Sequence, residues 1–138
     1  MYKGISKYTL QWVYGSLLDN VIALTGEHDI NGHMTIDYKT PFTAIVDNVG
    51  SVHEIIHETK CQYAGKKDKN DKKIYEGDML KFKRKNNELV TVIWRDDGFY
   101  TPVRTSPNAT TIYSLHNFLE KYQCEIVNNI HDNKEGKE

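Results

Sequence analysis

The segment from Ile74 to Tyr100 constrains the fold most. In Met79-Leu80-Lys81-Phe82-Lys83-Arg84, apolar Leu80 and Phe82 alternate with Lys81 and Lys83. A period of two places successive side chains on opposite faces, which describes a strand with one face buried. Gly77-Asp78 turns the chain into this strand and Asn86-Asn87 turns it out. Leu89 to Trp94 is the predicted return strand, and Asp97-Gly98 reverses the chain again before Phe99-Tyr100. Asp-Gly between apolar runs is a strong local hairpin signal, so this region reads as consecutive antiparallel strands.

The same strand and turn chemistry recurs elsewhere. Nine tyrosines and two tryptophans stand mostly beside β-branched residues, which suits strands. Leu10 to Leu18 is predicted as a first strand, Asp19-Asn20 as its turn and Val21 to Leu24 as its return. Gly26 to Tyr38 is predicted as a loop holding a short strand at Met34-Thr35-Ile36. Phe42 to Val46 is a further strand, ended by Asn48-Val49-Gly50. Val52 to Thr59 fits strand and helix equally, because a short apolar run cannot be typed by periodicity. Lys66 to Lys73 reads as a solvated charged loop and Pro102 to Thr110 as a second loop. Leu115, Phe118, Leu119 and Tyr122 lie on one face of a helix over 114–122, with Ser114 as its N-cap. Cys124 to Ile130 is the last strand. The expected fold is α+β and predominantly antiparallel β, with two strand-rich halves. Residues 1–65 form an N-terminal β-rich region and 66–73 the charged loop. Residues 74–131 form an SH3-like small barrel with one inserted helix, and 132–138 a flexible tail.

A chain of 138 residues is long enough to bury a core without metal or disulfides. Eighteen Lys and Arg against nineteen Asp and Glu argue against a dedicated binder of phosphate backbones. Cys61 and Cys124 lack metal-site spacing and read as reduced thiols of a cytoplasmic protein. No leader-like segment and no apolar run of bilayer length is evident, so no membrane association is expected.

One motif has the form of a catalytic site. His53-Glu54-Ile55-Ile56-His57 matches H-E-x-x-H. On a helix, two histidines four apart share a face and can bind one zinc, while the glutamate activates the metal-bound water. Glu76 is the candidate third ligand. Against this, Ile55 and Ile56 are β-branched and disfavour a helix, and Glu76 sits in a Tyr-Glu-Gly-Asp turn. The expected reading is therefore no metal, no cofactor and no catalytic residue, with His53 and His57 on the polar side of a strand or loop. His28 and His33 fall in a polar loop, His116 off the apolar face of the helix and His131 in the tail. Lys81, Lys83, Arg84, Lys85 and Arg95 lie close together along the hairpin and form a candidate nucleic-acid contact, though an ordinary solvated strand face is the favoured reading.

Taken together, these residues resemble the YopX-like family of phage and prophage proteins. Trp12-Val13-Tyr14-Gly15-Ser16-Leu17 is similar to its first strand. Glu58-Thr59, Gln62-Tyr63 and Gly65 resemble a central segment that typically reads Thr-Val-Gly-Gln-Tyr-Thr-Gly. Lys67-Asp68-Lys69-Asn70 followed by Ile74-Tyr75-Glu76-Gly77-Asp78 is the closest correspondence. Trp94, Asp97, Gly98, Phe99 and Tyr100 resemble the next hairpin, and Glu125 to Asn133 the terminal strand. Lys60-Cys61, Ala64 and Asn128 depart from the pattern. The resemblance implies an accessory protein without an assigned activity, whose shared residues are structural. Gly77 and Asp78 then belong to a tight turn, and Trp12, Tyr63, Tyr75 and Trp94 to a core. It also implies assembly into a homo-oligomer, or binding to an unidentified phage or host protein, in the bacterial cytoplasm.

Overall fold

The computed structural model describes residues 1–21, 24–28, 34–38 and 42–134. The chain divides into two compact units, Met1–Lys60 and Cys61–Glu138. It is mostly antiparallel β, with a single α-helix among the described residues, in keeping with the predicted α+β class. The division falls after Lys60, so residues 61–65, expected with the first half, belong to the second unit.

In the first unit, β1 (Tyr2–Ile5), β2 (Trp12–Val21), β5 (Phe42–Val46) and β6 (Val52–Glu54) pair antiparallel in the order β6-β5-β2-β1. β3 (Leu24–His28) and β4 (Met34–Tyr38) form a hairpin of their own. Asp19-Asn20 is therefore not a turn. β2 runs straight through it, and its partner is β5 rather than the residues that follow. Leu18 pairs with Ala44 and Val21 with Phe42, so the β2 side carries one extra residue there. Turn-forming residues thus sit at a bulge, where the ladder is locally broken and an unpaired backbone group is tolerated. The loop predicted over 26–38 is likewise partly strand, since Gly26 lies inside β3 and pairs with Ile36. Met34-Thr35-Ile36 does fall in a strand.

Ile5, Ala44, Ile45 and Ile55 are fully or almost fully buried and form the apolar centre of this unit. Thr59 is also buried. Its hydroxyl accepts from Ile5 N (2.9 Å) and donates to Ile56 O (2.6 Å). A buried hydroxyl with both roles filled avoids the cost of an unpaired polar group.

The second unit contains β7 (Cys61–Lys67) paired with β8 (Lys73–Tyr75), and two three-stranded ladders. One is β10 (Asn87–Thr91), β9 (Asp78–Lys83) and β14 (Glu125–Asn129); the other is β11 (Ile93–Arg95), β12 (Gly98–Ser106) and β13 (Ala109–Ser114). The predicted alternation holds in β9, where Leu80 and Phe82 are buried and Lys83 is exposed. The expected single return strand over 89–94 is split at Val92. This residue leaves the β9 ladder, is fully buried, and donates its N–H to Asp78 O (2.9 Å). Pro102 to Thr110 is not a loop but most of a hairpin. By Pro102, β12 has passed the end of β11 and pairs only with β13, so the missing N–H disrupts no inner ladder.

Helix α1 (Leu115–Lys121) follows β13, and Ser114 Oγ accepts from Asn117 N (3.2 Å), as its sequence position predicts. Two turns do not form a stable helix alone. Packing holds this one. Leu115 and Phe118 join Ile74, Leu80, Phe82, Val90, Val92, Val103 and Cys124 in one core. Phe82 meets Phe118 edge-on, with ring centroids 4.9 Å apart, and Tyr122 packs against both at 5.1 Å. Offset and edge-on rings gain energy beyond the area they bury. The tail begins with a 3-10 turn, Asp132–Lys134, and residues 135–138 lie outside the described residues.

Gly15 is the point of closest approach in the first sheet: a Cβ there would run into the Val46 carbonyl on β5. Neither backbone can give way without breaking the β2–β5 register. Gly15→Ala is expected to destabilise the protein by at least about 1–3 kcal/mol, read from the urea midpoint. An unchanged midpoint would show that β2 and β5 do not meet in this register.

Candidate functional site

The H-E-x-x-H residues do not form a helix. His53 and Glu54 belong to β6, opposite Ile45 and Ala44, and His57 opens a 3-10 turn, His57–Thr59. Ile55 N donates to Thr43 O and Ile56 N to Ile5 O, both at 2.9 Å. These donors serve neighbouring strands, not a carbonyl four residues back. Ile55 is β-branched and 1% exposed, and it bridges Ser6 in the extended backbone that its branching favours. Each polar residue of the motif then has its own partner. His53 Nε2 lies 2.8 Å from Asp47 Oδ2, Glu54 Oε2 accepts from Lys7 Nζ at 2.7 Å, and His57 Nδ1 lies 2.7 Å from Thr43 Oγ1. Glu76, the candidate third ligand, lies in the second unit between β8 and β9. Among the described residues, no group of three or more His, Cys, Asp or Glu is placed to hold a metal ion.

His57 takes part in a cluster not foreseen from the sequence. Asp19, at the β2 bulge, accepts from Thr43 Oγ1 (3.1 Å) and Lys60 Nζ (2.8 Å) and stands 3.8 Å from His57 Nδ1. The Lys60 hydrogen bond holds the Asp19 carboxyl below the usual carboxylate range. The His53 hydrogen bond does the same for Asp47, which also accepts from Ser51 N and Val49 N across its turn. Both arrangements tie loops to strands. In the first, the Thr43 hydroxyl stands between the Asp19 carboxylate and the His57 ring.

The candidate basic stripe is interrupted. Lys81 lies 3.6 Å from Glu125 Oε2. Arg84 makes a two-pronged ion pair with Glu88 (2.7 and 2.6 Å) and donates to Arg104 O. Arg95 is exposed but stands at the end of β11, in the other ladder, beside Asp96 and Asp97. Lys83 and Lys85 are exposed. Proximity in sequence therefore does not become one continuous positive face.

Among the residues carrying the family resemblance, Asp68, Gly77 and Asp78 form a framework within the second unit. Asp68, 7% exposed, lies in the segment predicted as a solvated loop, yet its carboxylate organises that loop. Oδ1 accepts from Asn70 N and Lys72 N (both 2.9 Å) and Oδ2 from Ile126 N (3.0 Å), joining the loop to β14. Burial raises this carboxyl's pKa, but the three N–H donors outweigh it and hold the group below its ordinary value. Asp78 Oδ2 accepts from Tyr75 N (2.8 Å) and Oδ1 from Asn129 Nδ2 (2.9 Å); Asn129 Nδ2 also reaches Glu76 O. Gly77 holds φ +82°, and a Cβ there would press on Ile130 and Asn129. Gly65, at φ +78°, lies where the β7–β8 register shifts. Of the four aromatics assigned to a core, only Tyr75 is buried. Tyr63 packs against it at 5.7 Å, Trp12 lies under Lys3 Nζ at 4.3 Å, and Tyr14 is exposed. Trp94 is 45% exposed and packs against its cross-strand partner Phe99 in β12, with ring centroids 4.9 Å apart. Cys61 and Cys124 are buried free thiols, and burial pushes Cys124 up to about 11.

Sequence pattern hides the β12–β13 hairpin because Pro102 lies inside β12 and Pro107 in the turn between the strands. Its signal was the run Thr110-Thr111-Ile112-Tyr113, which is β-branched and aromatic throughout. Every residue from 104 to 112 is exposed, so the hairpin end is a ribbon with both faces in solvent.

Asp68 offers a direct test of the framework. Asp68→Ala strands three N–H groups and is expected to cost about 2–4 kcal/mol. Asp68→Asn does not restore the full value, because its amide must present an NH2 to one of these donors. A lowered pKa means the contribution is fully present above the ordinary value of 3.8 and is lost as pH falls through the lower native value. Thermal midpoints of the wild type and Asp68→Ala are therefore expected to converge as pH is lowered past that native value. A gap that persists in acid would assign the loss to packing instead.

No curated protein and no solved structure matches the chain. A protein family described as YopX protein matches residues 7–135, which spans both units and includes Asp68, Gly77, Asp78 and Asn129. The chain belongs to the YopX protein family.

Proposed function

We propose that this chain is a non-enzymatic accessory protein of a bacteriophage or prophage, acting in the bacterial cytoplasm by protein binding or self-assembly. The observation that supports this reading is where the reactive side chains end. His53, Glu54, His57, Asp68 and Asp78 are each engaged by hydrogen bonds that hold strands and loops together. The second unit is read as an SH3-like small barrel, in which two three-stranded ladders and α1 share one core. Among the described residues, no helix is long and apolar enough to cross a membrane.

The test is the solution mass by light scattering after size exclusion, with zinc quantified on the same peak and affinity capture from infected cells. A discrete metal-free oligomer or a specific captured protein is the expected result. A monodisperse monomer with no captured partner would count decisively against it. Zinc at about one equivalent per chain, lost in His53→Ala, would replace it with a zinc hydrolase reading that includes His57 and Glu76.

The exposure of Lys83, Lys85 and Arg95 supports a second reading, a small barrel that binds nucleic acid. Binding to DNA or RNA would then weaken steeply with salt and disappear in Lys83→Glu/Lys85→Glu. Absence of any mobility shift at low salt removes this reading.

A further inference from the structure

We infer that the outer edge of β13 is a self-docking strand, which pairs antiparallel with β13 of a second copy about a two-fold axis. This deepens the self-assembly reading and rests on it. Four strands end the two three-stranded ladders of the second unit: β10, β14, β11 and β13. An open strand edge is a template for another chain, and proteins ordinarily blunt it with shortness, charge or bulges.

Three of the four are blunted. β11 has only three residues and carries Arg95. β10 carries Glu88, held in its ion pair with Arg84. β14 carries Glu125, which two lysines approach, has a register shift between Ile126 and Asn128, and has Ile126 N taken by Asp68. β13 is longer than β11 and carries no charge, and the register shift in its ladder, between Arg104 and Ser106, lies on the β12 side. It is six residues long, Ala-Thr-Thr-Ile-Tyr-Ser, and pairs with β12 in unbroken register from Ser114 to Thr110. From Thr105 to Ser114 the chain has no charged side chain, although 27% of all its residues are charged.

The occupant follows from that composition. In an antiparallel self-pair each residue faces a residue of the same six, so no like charges oppose each other. Facing Thr and Ile side chains are favourable cross-strand pairs. Thr111 already reaches Thr105 in this manner within the hairpin (3.4 Å). Alternate residues of β13 turn their N–H and C=O toward the open edge, and a second β13 satisfies them. Ile112, now 47% exposed, gains an apolar neighbour. The exposed ribbon at 104–112 leaves room for a partner strand, and the two-fold axis closes the assembly at that edge and consumes it.

The test uses the full chain. Light scattering is expected to report an oligomer for wild type and a shift toward the 16.0 kDa single chain for Ile112→Lys, with unchanged far-UV circular dichroism. Thr110→Cys, Thr111→Cys and Ile112→Cys, made one at a time with Cys61 and Cys124 left buried, provide a second readout that needs no loss of assembly. Mild oxidation is expected to join two copies most efficiently at the position nearest the axis. An oligomer that survives Ile112→Lys and gives no cross-link at any of the three positions would overturn the β13 pairing while leaving the self-assembly reading in place. A wild type that is monomeric at high concentration would overturn both.

Discussion

The second unit depends on the burial of the Asp78 carboxyl at 1% exposure. A buried polar group of that strength is tolerated only when hydrogen-bonded, and here its partners come from distant parts of the chain. Tyr75 N at the end of β8 and Asn129 Nδ2 at the end of β14 both donate to it. Its own backbone carbonyl accepts from Val92 N, where the chain passes from β10 to β11. Gly77, beside it, donates to Val92 O and accepts from Ile130 N. One turn thus joins the start of β9 to the ends of three other segments. Its conformation needs a residue that tolerates φ +82°, which is why glycine precedes the aspartate.

Asp68 repeats the principle at the other end of β14. It is a carboxylate that collects three backbone donors. Together the two acids fix both ends of the last strand: Ile126 through Asp68, Asn129 through Asp78. The family match includes both residues, and their geometry accounts for their chemistry without a ligand. The same economy governs the first unit, where Asp19 and Asp47 tie Lys60, Thr43, His53 and the 47–51 turn into place. A chain rich in ionisable groups has committed most of those that its sequence singled out to structure. That shifts attention from side-chain chemistry to surfaces, and among surfaces to the ladder edge that carries no charge.

Local pattern was sufficient where one face of one element is buried. The β9 alternation, the α1 face with its Ser114 cap, the strand at Phe42 to Val46 and the Gly77-Asp78 turn were all legible from adjacent residues. Each depends on a period or a turn preference that acts over a few positions. The failures have a shared cause. Asp19-Asn20 and Pro102 carry the chemistry of turns, but a bulge and a ladder end accept the same residues, and only the partner strand distinguishes these cases. The charged segment 66–73 reads as solvated because a carboxylate's backbone donors are invisible in composition; Ile126 lies far along the chain.

The sequence alone determined that this is a strand-rich α+β protein, that it resembles the family it belongs to, and that Gly77-Asp78 makes a turn. It did so because side-chain period and backbone preference are local. Tertiary structure decided the rest. It turned His53-Glu54-Ile55-Ile56-His57 from a metal-binding helix pattern into a strand and turn, because burying Ile55 outweighs any local tendency. It dispersed the basic residues between two ladders and two ion pairs. It also left β13 as the uncharged ladder end, a property of which strands are neighbours and therefore absent from any one segment of the chain.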